Sequence, residues 1–303
     1  MRRYLVTFLL LSILSVPMSV SAYDVIPVKD GGTITGRISL DGPLPKPKAY
    51  NLIVYPDPQY CWRISNGKGW RLLYDFVVDG KGGLKDAVVM LEGITAGKAF
   101  DVSVPHVDAR DCRFAPFMTV VRDGHAIEVV NMDPVMHDIQ AYETSTALGA
   151  RVLFNQPLPM NFHHRRGDLH AEHNHQPGKS MLGPIYLSKG RRVFMMQCGF
   201  HPYMESWALA IDSPYYAITD SAGRYTIADV PPGTYRLIVW HPQATHPIER
   251  TVTIGPNGKL TAEISLEAQR GRRSGLEVLE NPRIGAGALG RPIDILPLVE
   301  LQQ

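Results

Sequence analysis

The chain has 303 residues, with 31 Lys and Arg against 29 Asp and Glu. That balance gives no electrostatic case for binding nucleic acid, and the length fits two domains or one enlarged domain with an added module. Twenty-four prolines and 27 glycines, spread between short apolar runs, point to an all-β chain with many turns.

The first residues read as an export signal. Arg2 and Arg3 form a charged start, residues 5–16 an apolar run, and Val20-Ser21-Ala22 a small-residue cleavage site. The run is short for a membrane span, so cleavage is expected, with Tyr23 near the mature start; an uncleaved anchor is the alternative. Without Arg2 and Arg3 the chain holds 29 basic and 29 acidic residues. No later stretch is long and apolar enough to cross a bilayer, and a soluble periplasmic or extracellular product is expected.

Residues 32–40 alternate well enough for a strand, and the proline-rich 41–47 that follows disfavours helix. Residues 50–55 and 87–91 read as further strands, separated by glycine-rich turns. Residues 117–121 and 126–130 read as a hairpin across Arg122-Asp123-Gly124-His125, with Asp-Gly as its turn signal. The second of these strands runs into Asn131 and a loop ending at His137. From 144 to 188 the apolar pattern dissolves, and a long stretch of that kind is functional or mobile. Its segment 163–175 holds five of the eleven histidines. Short His-rich tracts bind metal by composition, which makes a second copper or zinc one reading and a solvated surface loop the other.

Cys198-Gly-Phe-His201-Pro-Tyr-Met204 is the most informative string, with His137 sixty-one residues before Cys198. A thiolate, two imidazoles and a thioether are the ligand set of a blue-copper electron-transfer site, His₂Cys in a trigonal arrangement with Met on a weak axis. Three of these ligands fall within seven residues, so one tight loop must supply them, and the fourth must come from a separate strand end. Residues 195–197 and 207–211 read as strands entering and leaving that loop. If Cys198 is the metal thiolate, Cys61 and Cys112 remain to form a disulfide, which an oxidising compartment permits; two buried thiols are the alternative. Beyond 211, residues 217–241 read as strand, turn, strand, turn, strand, with 251–254 and 260–266 completing a small sandwich. Asp220, Gly223 and Asp229 are turn formers there. No zinc-peptidase, nucleophile-elbow or phosphate-loop motif occurs.

The ligand string, preceded by Asn131-x-Asp133-x-x-x-His137, resembles the cupredoxins, and its compressed loop is most similar to amicyanin. Residues 219–235 resemble the carboxypeptidase regulatory-like module, a small transthyretin-like β-sandwich, and the pair in this order is similar to exported methylamine-utilisation-like proteins. The resemblance implies His137, Cys198 and His201 as equatorial ligands of one copper and Met204 as the axial one. Two departures stand out. Residue 138 is Asp where cupredoxins commonly have Asn, and the His137-to-Cys198 interval is longer than in amicyanin.

The expected fold class is therefore all-β: an enlarged cupredoxin Greek-key sandwich plus a small transthyretin-like one. The expected division is a signal peptide at 1–22, a copper domain at 23–213 with a His-rich insertion at 144–188, a regulatory-like sandwich at 214–268 and an extended tail at 269–303. The implied function is single-electron transfer, not catalysis, with a cytochrome or dehydrogenase as redox partner and protein contacts through the second sandwich or the tail. A copper carrier and a scaffold with a vestigial site are the alternatives.

Overall fold

In the computed structural model, residues 23–101, 103–143, 150–164, 177–268 and the short strand Glu277–Val278 are described. The expected signal peptide, the histidines at 170, 173 and 175 and most of the tail lie outside the described residues. The regular structure is almost wholly β; the four-residue helix Pro58–Cys61 and two short 3₁₀ turns, Leu52–Val54 and Trp62–Ile64, are the helical pieces among the described residues. No described helix is long and apolar enough to cross a membrane.

Two sheets make the first sandwich. One runs, in spatial order, Arg151–Leu158, His137–Glu143, Val193–Gln197, Glu205–Ala210, Met118–Val121; the other runs Ser180–Pro184, Ala126–Asn131, His106–Ala109, Phe114–Ala115. Alternation drives their packing. In Val193–Gln197 the side chains of Phe194 and Met196 are fully buried while their neighbours are half-exposed. Each such side chain contributes roughly 1.5–3 kcal/mol by leaving water. Val107, Ile127, Val129, Ile139, Ala141 and Phe154 join them in one core.

The second sandwich draws on both ends of the chain. Its sheets are Tyr216–Ile218, Val88–Glu92, Gly233–Trp240, Ile248–Ile254, and Arg224–Val230, Gly32–Asp41, Lys259–Thr261, with Ile264–Glu267 also paired to Gly32–Asp41. Ile34, Ile38, Val89 and Leu91 share a core with Leu237, Val239, Ile254 and Leu266. The expected boundary at residue 214 is thus not where the sheets divide: two strands from the first hundred residues complete the later module. The reason is visible in Val88–Glu92, which buries both faces. Val89 and Leu91 face this core, while Val88 and Met90 meet Met118, Val120, Leu209, Ile211 and Ile238 in a separate apolar cluster that joins the two sandwiches.

Three further expectations change. Met118–Val121 and Ala126–Asn131 are strands but not a hairpin. Met118–Val121 pairs in parallel with Trp207–Ala210, Ala126–Asn131 pairs with Ser180–Pro184 and His106–Ala109, and the intervening turn crosses between sheets. The 50–55 segment is a strand only to Asn51, whose side chain accepts from the Ile53 amide and turns the chain into the 3₁₀ turn. Among the described residues of the 144–188 region there are two strands, Arg151–Leu158 and Ser180–Pro184. Both lie at sheet edges, so few of their residues need be apolar.

Candidate metal centre

Strand pairing puts the four singled-out residues at one end of the five-stranded sheet. His137–Glu143 runs antiparallel to Val193–Gln197 with Gln140 opposite Gln197, so His137 and Cys198 emerge side by side. His137 opens its strand after a loop braced by Asn131. The Asn131 amide donates to the carbonyls of Val135 (2.9 Å) and Pro159 (2.9 Å), and its oxygen accepts from the Asp133 amide (2.9 Å). Cys198 begins the turn between Val193–Gln197 and Glu205–Ala210. That turn is closed by its own backbone: the Cys198 amide donates to Met204 O (3.2 Å) and the Met204 amide to His201 O (2.8 Å). Gln197 Nε2 donates to Pro202 O (2.9 Å). His137, Cys198, His201 and Met204 are all fully buried.

The donor atoms of three of them converge. His137 Nδ1 lies 3.1 Å from His201 Nδ1, and Cys198 Sγ lies 4.0 Å from the first and 3.6 Å from the second. The far nitrogens fix the tautomers. His137 Nε2 sits 2.9 Å from the Asp133 carboxylate, and His201 Nε2 3.0 Å from the Pro56 carbonyl. Both neighbours can only accept once Asp133 is ionised, so both Nε2 atoms carry hydrogen; in the neutral rings each Nδ1 then turns a lone pair inward. One thiol proton faces two lone pairs, and it can serve only one of them. A cation shared by the three atoms satisfies all of them at once. Bonds of about 2.0 Å to nitrogen and about 2.3 Å to sulfur, as in zinc sites, place neighbouring donors roughly 3–4 Å apart, the spacing found here. The residues present therefore fit a bound metal.

Burial, with a smaller effect of the Asp138 charge, pushes the Cys198 thiol up to about 12. Burial first, then the nearby His137, pulls His201 down to about 4. Both shifts describe a metal-free pocket that disfavours charge, in which a cation would be the group that ionises the thiol.

Around these atoms lies an outer layer that is mostly illegible in the sequence. Asp133 is fully buried and accepts four hydrogen bonds: from His137 Nε2, from the Asp111 amide (2.7 Å), from the Cys112 amide (2.8 Å) and from Tyr60 Oη (2.9 Å). Burial alone would raise its carboxyl; the His137 bond and the two amides outweigh that and hold it below the ordinary range. Cys112 and Cys61 form a disulfide, which pins the segment carrying Pro56 and Tyr60 over the site. Asp138, the departure from the usual Asn, accepts the Gly199 amide on one oxygen and Gln140 Nε2 (2.9 Å) on the other. It thus orders the residue after Cys198. Tyr203 packs against His201 (5.6 Å between centroids) and against Tyr55 and Tyr50 (5.5 and 5.8 Å). In the sequence this layer showed only as the Asn131-x-Asp133-x-x-x-His137 string, the Asp at 138 and the two cysteines left over from the ligand set; Pro56 and Tyr60 carried no signal.

Of the remaining candidates, His163 and His164 are described, and no metal-holding group includes them among the described residues. His164 lies edge-on to Tyr60. Cys112, Asp133 and His137 also cluster, but the cysteine is in the disulfide and the other two are bonded to each other. Asp220 and Gly223 shape a turn: Asp220 Oδ1 accepts from the Ala222 and Arg224 amides, and Gly223 has φ +76°.

Residues 209–267 match the model of the carboxypeptidase regulatory-like domain. Solved structures similar to the chain include a purple cupredoxin from Nitrosopumilus maritimus, at 16% identity over 35% of this chain and 99% of that one, with a TM-score of 0.25. Amicyanin from Paracoccus versutus is 9% identical over 37% of this chain and 84% of its own, with a TM-score of 0.25. A Cu-containing nitrite reductase from Thermus scotoductus is 15% identical over 38% of this chain and 24% of its own, with a TM-score of 0.24. No curated protein matches the chain. The protein is thus an all-β chain with a carboxypeptidase regulatory-like module and cupredoxins among its structural neighbours.

Proposed function

We propose that the chain is an exported mononuclear blue-copper electron carrier, with His137, Cys198 and His201 as equatorial ligands and Met204 as the axial one. The observation that carries this reading is the inward convergence of two imidazole lone pairs and one thiol, their outer nitrogens already engaged. The donor set selects the metal: thiolate and thioether suit Cu(I), imidazole serves both oxidation states, and only three strong donors are offered where a closed zinc site takes four. Copper held there would supply one-electron redox chemistry. The chain's own part is to keep the donors in one arrangement. The closed turn from 198 to 204, the Asn131-braced loop and the Pro56 contact each restrain a ligand from outside, so little has to move when the charge changes. Full burial of all four residues argues for retention, not hand-off, because no ligand is open to exchange with a partner. The disulfide is consistent with an oxidising compartment. The regulatory-like sandwich serves as an interaction module in this reading, with a redox protein as partner.

The test is a visible spectrum of the copper-loaded, oxidised protein with metal analysis. One copper per chain and an intense thiolate-to-copper band near ~600 nm are expected of His₂Cys geometry. Cys198→Ser should lose the band and keep the fold; a colourless wild-type protein would overturn the reading.

A further inference from the structure

Asp133 is the most heavily bonded group behind the site. It is closed off from solvent, one hydrogen bond behind His137, and four donors converge on its two oxygens. Two of those donors come from consecutive residues in an uncommon conformation. Asp111 and Cys112 have φ of +51° and +52°, the left-handed region that non-glycine residues rarely enter. Holding two such residues there costs on the order of 1–3 kcal/mol each, and what it achieves is to point both amides at the same carboxylate. The disulfide secures the arrangement at two places, since Cys112 supplies one of the amides and Cys61 adjoins Tyr60, which supplies the hydroxyl. A chain that only needed to hold the imidazole ring could use a carbonyl, as it does for His201 with Pro56. At His137 it has placed a full negative charge.

An imidazole whose N–H is bonded to a carboxylate is a stronger donor through its other nitrogen, and such outer partners orient the ring as well. In a sealed interior the charge is little screened. We infer that Asp133 is a positioning residue for the metal: it holds His137 with Nδ1 turned inward, and its charge biases the centre toward the oxidised state. Tyr60 and the two amides moderate that bias by sharing the charge. The inference rests on the copper reading above.

Two variants of opposite expected sign test it in the copper-loaded protein, read as reduction potential. Asp133→Asn removes the charge. Loss of an outer partner costs about 10–100-fold in metal affinity; if that falls on Cu(II), the potential rises by about 60–120 mV, at 59 mV per tenfold for one electron. Tyr60→Phe leaves the carboxylate with one donor fewer and should lower the potential. It also retains Asp133, so it keeps the test open should Asp133→Asn not fold. A potential unmoved in both variants, or moved the same way, would overturn the inference. An independent readout needs no copper: ¹⁵N chemical shifts of the metal-free wild type should show His137 as the Nε2–H tautomer. An Nδ1–H tautomer would overturn the positioning role. A wild-type protein with no thiolate-to-copper band overturns the copper reading and with it the bias on potential, while the tautomer still decides the orientation.

Discussion

At the scale of single residues, the site divides into donors that chemistry requires and supports that geometry requires. The sequence shows the first kind, because a thiolate, two imidazoles and a thioether at close spacing have few other uses together. Supports such as Pro56 leave no such trace, since a backbone carbonyl is available at every position. Asp138 falls between the two. An Asn there would also accept the Gly199 amide, so the Asp seen in this chain preserves the loop-ordering contact and adds a charge. Asp138→Ala leaves the Gly199 amide and Gln140 Nε2 without this acceptor. An unmade bond at a buried group costs about 1–3 kcal/mol. Thermal unfolding of the metal-free protein should therefore show Asp138→Ala destabilised by roughly that amount, with Asp138→Asn nearer wild type. Equal stability of all three would mean that the turn is held by its backbone bonds alone.

At the scale of elements, legibility followed burial. Val193–Gln197 and Glu205–Ala210 were readable because both alternate over a core, while Arg151–Leu158 was hidden in a polar run because an edge strand exposes most of its side chains. The false hairpin at 122–125 had the right turn residues; what it lacked was information about partners, since both flanking strands bury residues on each face and pair elsewhere. One element contact depends on pH. The fully buried Glu143 accepts from Arg151 Nε (2.7 Å) and Nη2 (2.9 Å), and from Ser188 N (2.8 Å) and Oγ (2.6 Å), with Arg191 Nη1 3.1 Å away. The Arg151 bonds, followed by those of Ser188, hold its carboxyl down at about 2, against burial. A carboxylate depressed in the folded state stabilises it at neutral pH, and that contribution is lost as pH falls from about 4.5 toward about 2. With Arg151 half-exposed and screened, the loss should be roughly 2 kcal/mol. Denaturant unfolding across that window should show a shallower acid limb for Glu143→Gln than for wild type; parallel limbs would place the acid sensitivity elsewhere.

At the scale of the whole molecule, the order of strands in the sheets does not follow the order of modules in the chain. The family match covers 209–267, yet the sandwich there is completed by Gly32–Asp41 and Val88–Glu92. Among the described residues the chain therefore lays Gly32–Asp41 in the second sandwich, packs residues 50–64 on the core of the first, returns with Val88–Glu92, builds the sheets of the first, and returns again. Gly36 records how close the returning strands come: a Cβ added there would lie 1.9 Å from Ala262 O. The same weave makes the first sandwich dependent on the second. Val88, Met90 and Ile238 cover Met118, Val120, Leu209 and Ile211, which lie along one side of the five-stranded sheet that ends in His137 and Cys198. A fragment ending at residue 213 would look like a complete metal domain by sequence. It would instead uncover Ile34, Ile38, Val89 and Leu91 and strip Gly32–Asp41 of every strand partner. Exposed strand edges and apolar faces of that kind pair with other chains. The fragment 23–213 should therefore aggregate or bind hydrophobic dye, whereas 23–268 should unfold in one cooperative step that near-UV circular dichroism and tryptophan fluorescence follow together. A monomeric 23–213 that retained the metal site would show that the first sandwich stands alone and that the junction is only a contact.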